Sequence, residues 1–345
     1  MESLSVRHDA YLTHALRFKS RELQLQAEFM DWLPENIIDC HVHCNLSEHV
    51  MSMDERTLHH MMSTFPSFTL EESSEIHRLF YPGKNVRSLR FPNVFRGIDH
   101  KSANQYLLEN SNQDDRVALF GLPEDVDYTT RMLAHPRVSA LKMYPSYLDP
   151  PAERIYQYFR PEILETAQDL GIPIILHPPR IITRCGEDLE NLLNDFPRLK
   201  VALAHLGLSK LPVTGLREVY ERIAKFPFLY LDTAMNPSDR VVGMAMEVFG
   251  SERIMFGSDE PLCLIRAQVY THPELGERLL ADYNYHWADP KEQQQYMHLL
   301  DAGVVHTLWQ TLIAIKTVIE LLPVNQREPA KEQIFKKNAE GFFNF

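Results

Sequence analysis

Five side chains of this chain are of the kinds that bind transition metals or move protons, and each stands at the end of an apolar run. Asn36-Ile37-Ile38-Asp39-Cys40-His41-Val42-His43 is the pattern of a buried strand closing in a polar cluster. Three later runs end in the same way: Ile174-Ile175-Leu176-His177, Ala202-Leu203-Ala204-His205, and Met255-Phe256-Gly257-Ser258-Asp259. Strand side chains alternate faces, so His41 and His43 share one face, roughly 6–7 Å apart. His41, His43, His177 and Asp259 together offer three neutral nitrogens and a carboxylate. That set suits Zn2+, with Mn2+, Fe2+ or Co2+ as alternatives. An open coordination position makes such a site catalytic, because the ion acidifies water towards a pKa of ~7 and polarises a carbonyl. Asp259 can bind the ion and also accept a proton, and His205 stands ready as general base, general acid or further ligand. One histidine at one strand end is ordinarily a hydrogen-bonded core residue. Recurrence at the same place in four runs is what makes a site.

These residues meet only if the fold gathers strand ends. Apolar runs occur at Ile37–His43, Val86–Phe91, Val117–Leu122, Val138–Tyr144, Ile172–His177, Val201–His205, Phe228–Asp232 and Arg253–Gly257. Several lack strict polar alternation, as strands buried on both faces do. Amphipathic stretches separate them, at Ala103–Glu109, Pro161–Leu170, Leu189–Phe196, Leu216–Ala224 and Arg240–Phe249. Pro161 in a first turn and Gly171 just past an end bracket one helix with both boundary signals. Eight strands alternating with helices predict an α/β fold of the (β/α)8 TIM-barrel type, with a doubly wound open sheet as the competing architecture. A barrel puts all strand C-termini around one mouth.

The expected organisation is a single domain over 1–345, with an N-terminal helical extension at 1–35 and the barrel at 36–345. Two segments exceed a minimal barrel unit, at about 46–85 and 261–301, and read as loop insertions over the mouth. The first holds Met51, Met53, Met61, Met62, Phe65 and Phe68; the second holds Arg266, Tyr270, Tyr283, Tyr285, His286 and Trp287. The helical patterns His306–Leu322 and Glu332–Phe343 should close the barrel. A net charge of -12 and a pI near 5.7 disfavour a nucleic-acid or anionic-membrane partner, which would want a basic face. Cys40, Cys44, Cys185 and Cys263 show no disulfide or structural-zinc spacing and read as small buried hydrophobes, with Cys40 and Cys44 on the strand face opposite the histidines. With no signal core and no membrane-length apolar run, the expected setting is the reducing cytoplasm.

His41-Val42-His43, Leu176-His177-Pro178, Ala204-His205-Leu206-Gly207 and Phe256-Gly257-Ser258-Asp259-Glu260-Pro261 resemble the amidohydrolase superfamily. The closest resemblance is to the amidohydrolase 2 branch, related to aminocarboxymuconate semialdehyde decarboxylase. Ile334-Phe335-Lys336-Lys337-Asn338-Ala339-Glu340 is similar to that branch's closing helix, so the likeness spans most of 36–345. It implies a distorted (β/α)8 barrel with the metal ligands as above, and a homodimer. It also makes Lys142, at the end of the fourth run, a candidate metal bridge as a carbamate; a pocket-lining ammonium or an anchor for Asp232 is the preferred alternative.

For the small-molecule substrate, Arg90, Arg180 and Arg184 could grip a carboxylate, and Tyr144 could form part of an apolar wall. Each arginine could equally be a loop salt-bridge partner. The leading expectation is a metal-dependent hydrolase acting on an amide, ester or lactone carbonyl of a small carboxylated molecule. The alternative is a lyase, a metal-dependent decarboxylase or hydratase, using the same ligands. A non-catalytic metal- or ligand-binding protein on the same scaffold is the third class.

Overall fold

The structure, a computed structural model, describes residues 12–51, 67–274, 276–282 and 290–345. Eight parallel strands follow one another in chain order: β1 (Asn36–His43), β2 (Asn85–Phe91), β3 (Arg116–Phe120), β4 (Val138–Met143), β5 (Ile174–Leu176), β6 (Val201–Leu203), β7 (Leu229–Asp232) and β8 (Ile254–Met255). Each of the first seven is followed by a helix that covers the sheet: α2 (Leu70–Phe80), α3 (His100–Asn110), α4 (Val126–Leu133), α5 (Pro161–Leu170), α6 (Ile182–Asp195), α7 (Leu216–Ile223) and α8 (Asp239–Phe249). Helix α1 (Ser20–Trp32) precedes β1. The β8 edge returns to β1 through three backbone bonds: Cys40 N–H to Phe256 O at 3.0 Å, Asp259 N–H to His41 O at 2.9 Å and His43 N–H to Glu260 O at 2.7 Å. The result is a nearly closed (β/α)8 barrel. The open-sheet alternative is excluded by that closure.

Side-chain alternation along the strands builds two apolar layers. Ile38, Cys40, Leu89, Phe91, Ala118, Ala140, Ile175, Ala202 and Met255 pack together inside, against Phe342 and Phe343 of the last helix. Ile37, Val42, Leu119, Leu141, Ile174 and Leu203 belong to the outer layer beneath the helices. Three alanines in the interior leave room for larger neighbours, as barrel layers require. The register of β1 against β2 shifts between Asp39 and Val42. Such a bulge flips side-chain parity. Cys40 therefore packs inside beside the histidine end of the strand while Cys44 joins the outer layer, which corrects the expectation that the two share a face. All four cysteines are free and buried.

After β8 the chain forms a hairpin, β9 (Ala267–His272) and β10 (Gly276–Ala281), then α9 (Pro290–Tyr296), α10 (Thr307–Leu321), α11 (Val324–Glu332), a π-helical turn at Gln333–Lys337 and α12 (Asn338–Phe343). Helix α5 has the bounds its Pro161 and Gly171 signals predict, with Gly171 in the left-handed region at φ 68°. Helix α2, inside the first expected insertion, carries its own start signal. Thr69 accepts from Glu72 N–H at 3.1 Å, and Glu72 accepts from Thr69 N–H at 2.7 Å, a capping box. Among the insertion residues named from sequence, Met53, Met61, Met62, Phe65, Tyr283, Tyr285, His286 and Trp287 lie outside the described residues. Among the described residues no helix is long and apolar enough to cross a membrane.

Candidate active site

The bulge in β1, the end of β6 and the loop after β8 bring three side chains together at the barrel mouth. His41, His205 and Asp259 are buried, and each places a ligand-type atom within 4.8 Å of the others. His43 joins them from two residues further along β1, its Nε2 3.2 Å from Asp259 Oδ1. His177, at the end of β5, stacks edge-on against the His205 ring at 5.2 Å between centroids. The five residues read from four strand ends thus converge on one place.

Local backbone strain holds two of them. His205 and Leu206 have φ of 56° and 49°, and Gly207 follows at 72°, so the chain turns left-handed directly after β6. A Cβ at Gly207 would lie 2.7 Å from Ile182 of α6, so only glycine fits there. Asp259 also sits at positive φ, 69°. Its loop passes so close to β1 that a Cβ at Gly257 would meet the His41 Cβ at 2.9 Å. Non-glycine residues in this region cost of order 1–3 kcal/mol each and persist where packing fixes them.

Every one of the four imidazoles has its Nδ1 engaged. His41 Nδ1 lies 3.0 Å from Asp232 Oδ2, His43 Nδ1 3.1 Å from Pro92 O, His177 Nδ1 3.1 Å from Pro178 O and His205 Nδ1 3.0 Å from Ala234 O. Carbonyls and carboxylates only accept, so a neutral ring in each place carries its proton on Nδ1 and keeps the Nε2 lone pair free. His41 Nε2 and His43 Nε2 then face the same Asp259 oxygen at 3.4 and 3.2 Å with no proton between them. Lone pairs crowded in this way repel, and a cation among them removes the repulsion. The donor set therefore fits a divalent metal, and the Nδ1 partners are those that orient metal-binding imidazoles.

Electrostatics follow from burial. Burial holds His41 below the usual histidine range, His205 down to about 4, and His177 well below its ordinary value. Burial pushes Asp259 towards the neutral acid, but the neighbouring His41, His205 and His43 outweigh it and hold the carboxyl well below its ordinary value. Asp232, at the end of β7, accepts from His205 N–H at 2.8 Å and Ala234 N–H at 3.1 Å besides holding His41. Lys142 ends β4 with its Nζ buried, 5.0 Å over the Phe91 ring and with no hydrogen-bond partner. Burial lowers it to about 8, partly offset by Asp232 and Asp259. It makes no hydrogen bond to Asp232. Tyr144 lies against His177, centroids 4.6 Å apart, its hydroxyl pushed up to about 12 by burial and then by Asp259.

The three arginines do not join this cluster. Arg90 pairs in the ladder with Val42 of the outer layer, so its side chain leaves on the outside of the barrel. There it donates to Asp115 at 2.9 Å and Ser73 at 2.7 Å. Arg180 pairs with Glu153 at 2.8 Å, and Arg184 is exposed on α6; both line a separate cavity of about 280 Å³ with Asp188. Arg266 is far from any substrate role, buried in an ion pair with Glu22 of α1 at 2.7 Å. Asp232 was named only as a partner for Lys142; it ends its apolar run as Asp259 does, and the same rule would have given it a role of its own. One residue was missed. Lys210, half-buried five residues after His205, is lowered by burial against the pull of Asp259; nothing in its loop sequence signals this.

A (β/α)8 barrel carrying this donor set at the ends of β1, β5, β6 and β8 defines an amidohydrolase-type enzyme. The chain belongs to the amidohydrolase family: the amidohydrolase 2 family model, described as "Amidohydrolase", matches residues 38–345. That family is metal-dependent, and its members include hydrolases and decarboxylases. Among solved structures, the chain is similar to amidohydrolase 2 from Bifidobacterium longum subsp. infantis, with 16% identity, TM-score 0.57, and 90% of this chain and 100% of that chain covered. It is also similar to a probable 2-pyrone-4,6-dicarboxylic acid hydrolase from Acinetobacter baumannii, with 12% identity, TM-score 0.55 and coverage of 90% and 100%. A third is a dihydroxybenzoic acid decarboxylase from Polaromonas sp. JS666 with bound manganese, with 15% identity, TM-score 0.53 and coverage of 90% and 97%. These likenesses are of fold. A comparison with curated proteins finds no match.

Proposed function

We propose that the protein is a metal-dependent hydrolase of a small, carboxylated amide, ester or lactone, with His41, His43, His177 and Asp259 as the ligand set and His205 beside it. The observation that supports it best is the four imidazoles whose Nδ1 atoms are all occupied, with the free Nε2 atoms of His41 and His43 at the Asp259 carboxylate. A divalent ion bound there acidifies water and polarises a carbonyl. Zn2+ is the first choice, with Mn2+, Fe2+ or Co2+ alternatives. Hydrolysis moves one proton off water and one onto the leaving group. Asp259, ionised and 4.0 Å from His205 Nδ1, accepts the first; His205 is the neighbouring group through which the second passes. Asp232 holds His41 and the His205 backbone in place for this. Tyr144 forms the wall beside His177, and Lys210, a cation that feels the charge of Asp259, is suited to attract a substrate carboxylate.

Non-oxidative decarboxylation is the competing reading, because it uses the same ligands and Lys210 would orient the departing carboxylate. The separating experiment is a panel of carboxylated lactones, esters and amides beside carboxylated phenols, incubated with metal-loaded protein in 18O-labelled water. Hydrolysis predicts 18O in the product acid with no CO2 released. CO2 release from a carboxylated phenol, with no turnover of any lactone, ester or amide, would establish the lyase instead.

A further inference from the structure

On the outer side of β1 lies a second group of buried acid–base side chains that the chemistry above does not use. The bulge that turns His41 into the mouth turns Asp39 away from it. Glu260 directly follows Asp259, and His77 comes from the middle of α2. These three residues are buried, and each places one ligand-type atom within 4.8 Å of the others. His77 Nε2 lies 3.0 Å from Glu260 Oε2. Asp39 Oδ1 accepts from the backbone N–H of His41 at 3.1 Å and of Ser258 at 2.9 Å.

Four buried atoms at this spot have no hydrogen-bond partner: Asp39 Oδ2, His77 Nε2, Glu260 Oε1 and the Tyr81 hydroxyl. Tyr81 is the last-turn cap of α2, 2% exposed, its ring 6.3 Å from that of His77. Its hydroxyl is within reach of the charges of both Asp39 and Glu260. Asp39, Asp115 and Glu260 are all buried, and among the described residues the guanidinium beside them, Arg90, gives its hydrogen bonds to Asp115, Ser73 and Cys44 and none to Asp39 or Glu260. Buried carboxylate oxygens without a partner cost several kcal/mol unless a proton or a cation satisfies them. A surface cavity of about 490 Å³, lined by His77, Tyr81, Arg90 and Asp115, borders the spot on its His77 and Tyr81 side.

We propose that Asp39, His77 and Glu260 form a second divalent-cation site, with the Tyr81 hydroxyl facing it, separate from the barrel mouth. Two carboxylates and one imidazole suit Mn2+ or Zn2+. Such an ion joins α2 to β1 and to the loop that carries Asp259, so it is a positioning site: it fixes the strand and loop from which the mouth is built.

The test is metal uptake by the full chain, stripped with chelator and refilled with Zn2+ or Mn2+ alone, read by elemental analysis. Wild type takes up two equivalents, His77→Asn one, and His177→Ala keeps the equivalent that His77→Asn loses. Anomalous scattering from crystals of the Zn2+- or Mn2+-loaded wild type gives a reading independent of how either variant folds, with a peak between Asp39, His77 and Glu260. Two equivalents retained by His77→Asn, or a single wild-type equivalent abolished by His177→Ala, would overturn the site. So would crystals with density for metal in the mouth and none behind β1, in which case the cluster carries protons.

Discussion

Arg266 and Lys142 are both buried cations, 2% and 0% exposed, and the structure treats them in opposite ways. All three guanidinium nitrogens of Arg266 donate: Nε and Nη2 to the two oxygens of Glu22, Nη1 to His14 O, and Nη2 again to Ala15 O and Arg17 O. His306 adds a second contact to Glu22 at 2.7 Å. Lys142 donates to nothing and lies above an aromatic face. The first cluster ties the N-terminal segment and α1 to the loop after β8, and its saturation marks a structural role. The second lies in a mouth of strained backbone, buried imidazoles and the carboxylates of Asp232 and Asp259. Buried polar groups left unsatisfied are destabilising, so a fold keeps them where a ligand or a reaction completes them.

That contrast is broken most severely at Asp259. Asp259→Asn removes the proton acceptor while keeping size and hydrogen bonds, and should lower kcat/KM by ~10³-fold or more with little change in melting temperature. Metal content should fall less than turnover. Steady-state kinetics beside thermal melts check this, and an unchanged kcat/KM would take Asp259 out of proton transfer.

Arg266→Ala should show the reverse. Removing one partner of a buried pair leaves Glu22 uncompensated and should cost about 3–5 kcal/mol in denaturant unfolding. The folded fraction should keep wild-type kcat; a fall in kcat as large as that in the mouth variants would dissolve the distinction between the two clusters.

Lys142 gives a pH-dependent version of the same comparison. Its folded value, about 8, lies below the ordinary 10.5, so between those values the unfolded chain binds the extra proton. The stability advantage of metal-free Lys142→Met over wild type should therefore be largest at pH 7 and shrink by about 3 kcal/mol as pH goes from 8 to 10.5, the other titrating groups being common to both proteins. Equilibrium unfolding at several pH values decides it. The smallest effect is expected at Tyr144→Phe, which keeps the ring on His177 and should change kcat/KM by about tenfold or less without altering stability by more than about 1 kcal/mol.

The barrel and the mouth were legible because both are written in one signal. A strand buried on two faces must be an apolar run, and a polar residue facing the mouth must interrupt that run at its end, as His43, His177, His205 and Asp259 do. The bounds of α5 were equally open, since Pro161 and Gly171 act through backbone sterics alone. The bulge in β1 was not legible: neither glycine nor proline marks it, and its parity change separates Cys40 from Cys44 and Asp39 from His41. Arg90 looked like a mouth residue because its sequence position cannot say which face of β2 it leaves by; the ladder settles that. Arg180 and Arg184 follow His177 closely in sequence, but the chain enters α6 there and carries them to a different cavity. Helix α2 was hidden by its composition, with Ile76 and Phe80 its large buried apolar side chains, although its Thr69–Glu72 capping box was in plain sight.

The central claim is that the imidazoles at the mouth hold a metal that the reaction needs. It is tested most directly by comparing wild type with His177→Ala, both purified without chelator, for metal equivalents per chain and cooperative unfolding. The account predicts that His177→Ala unfolds as one cooperative unit and carries about one equivalent less, with activity gone. Equal metal content and retained activity in the two proteins would contradict it.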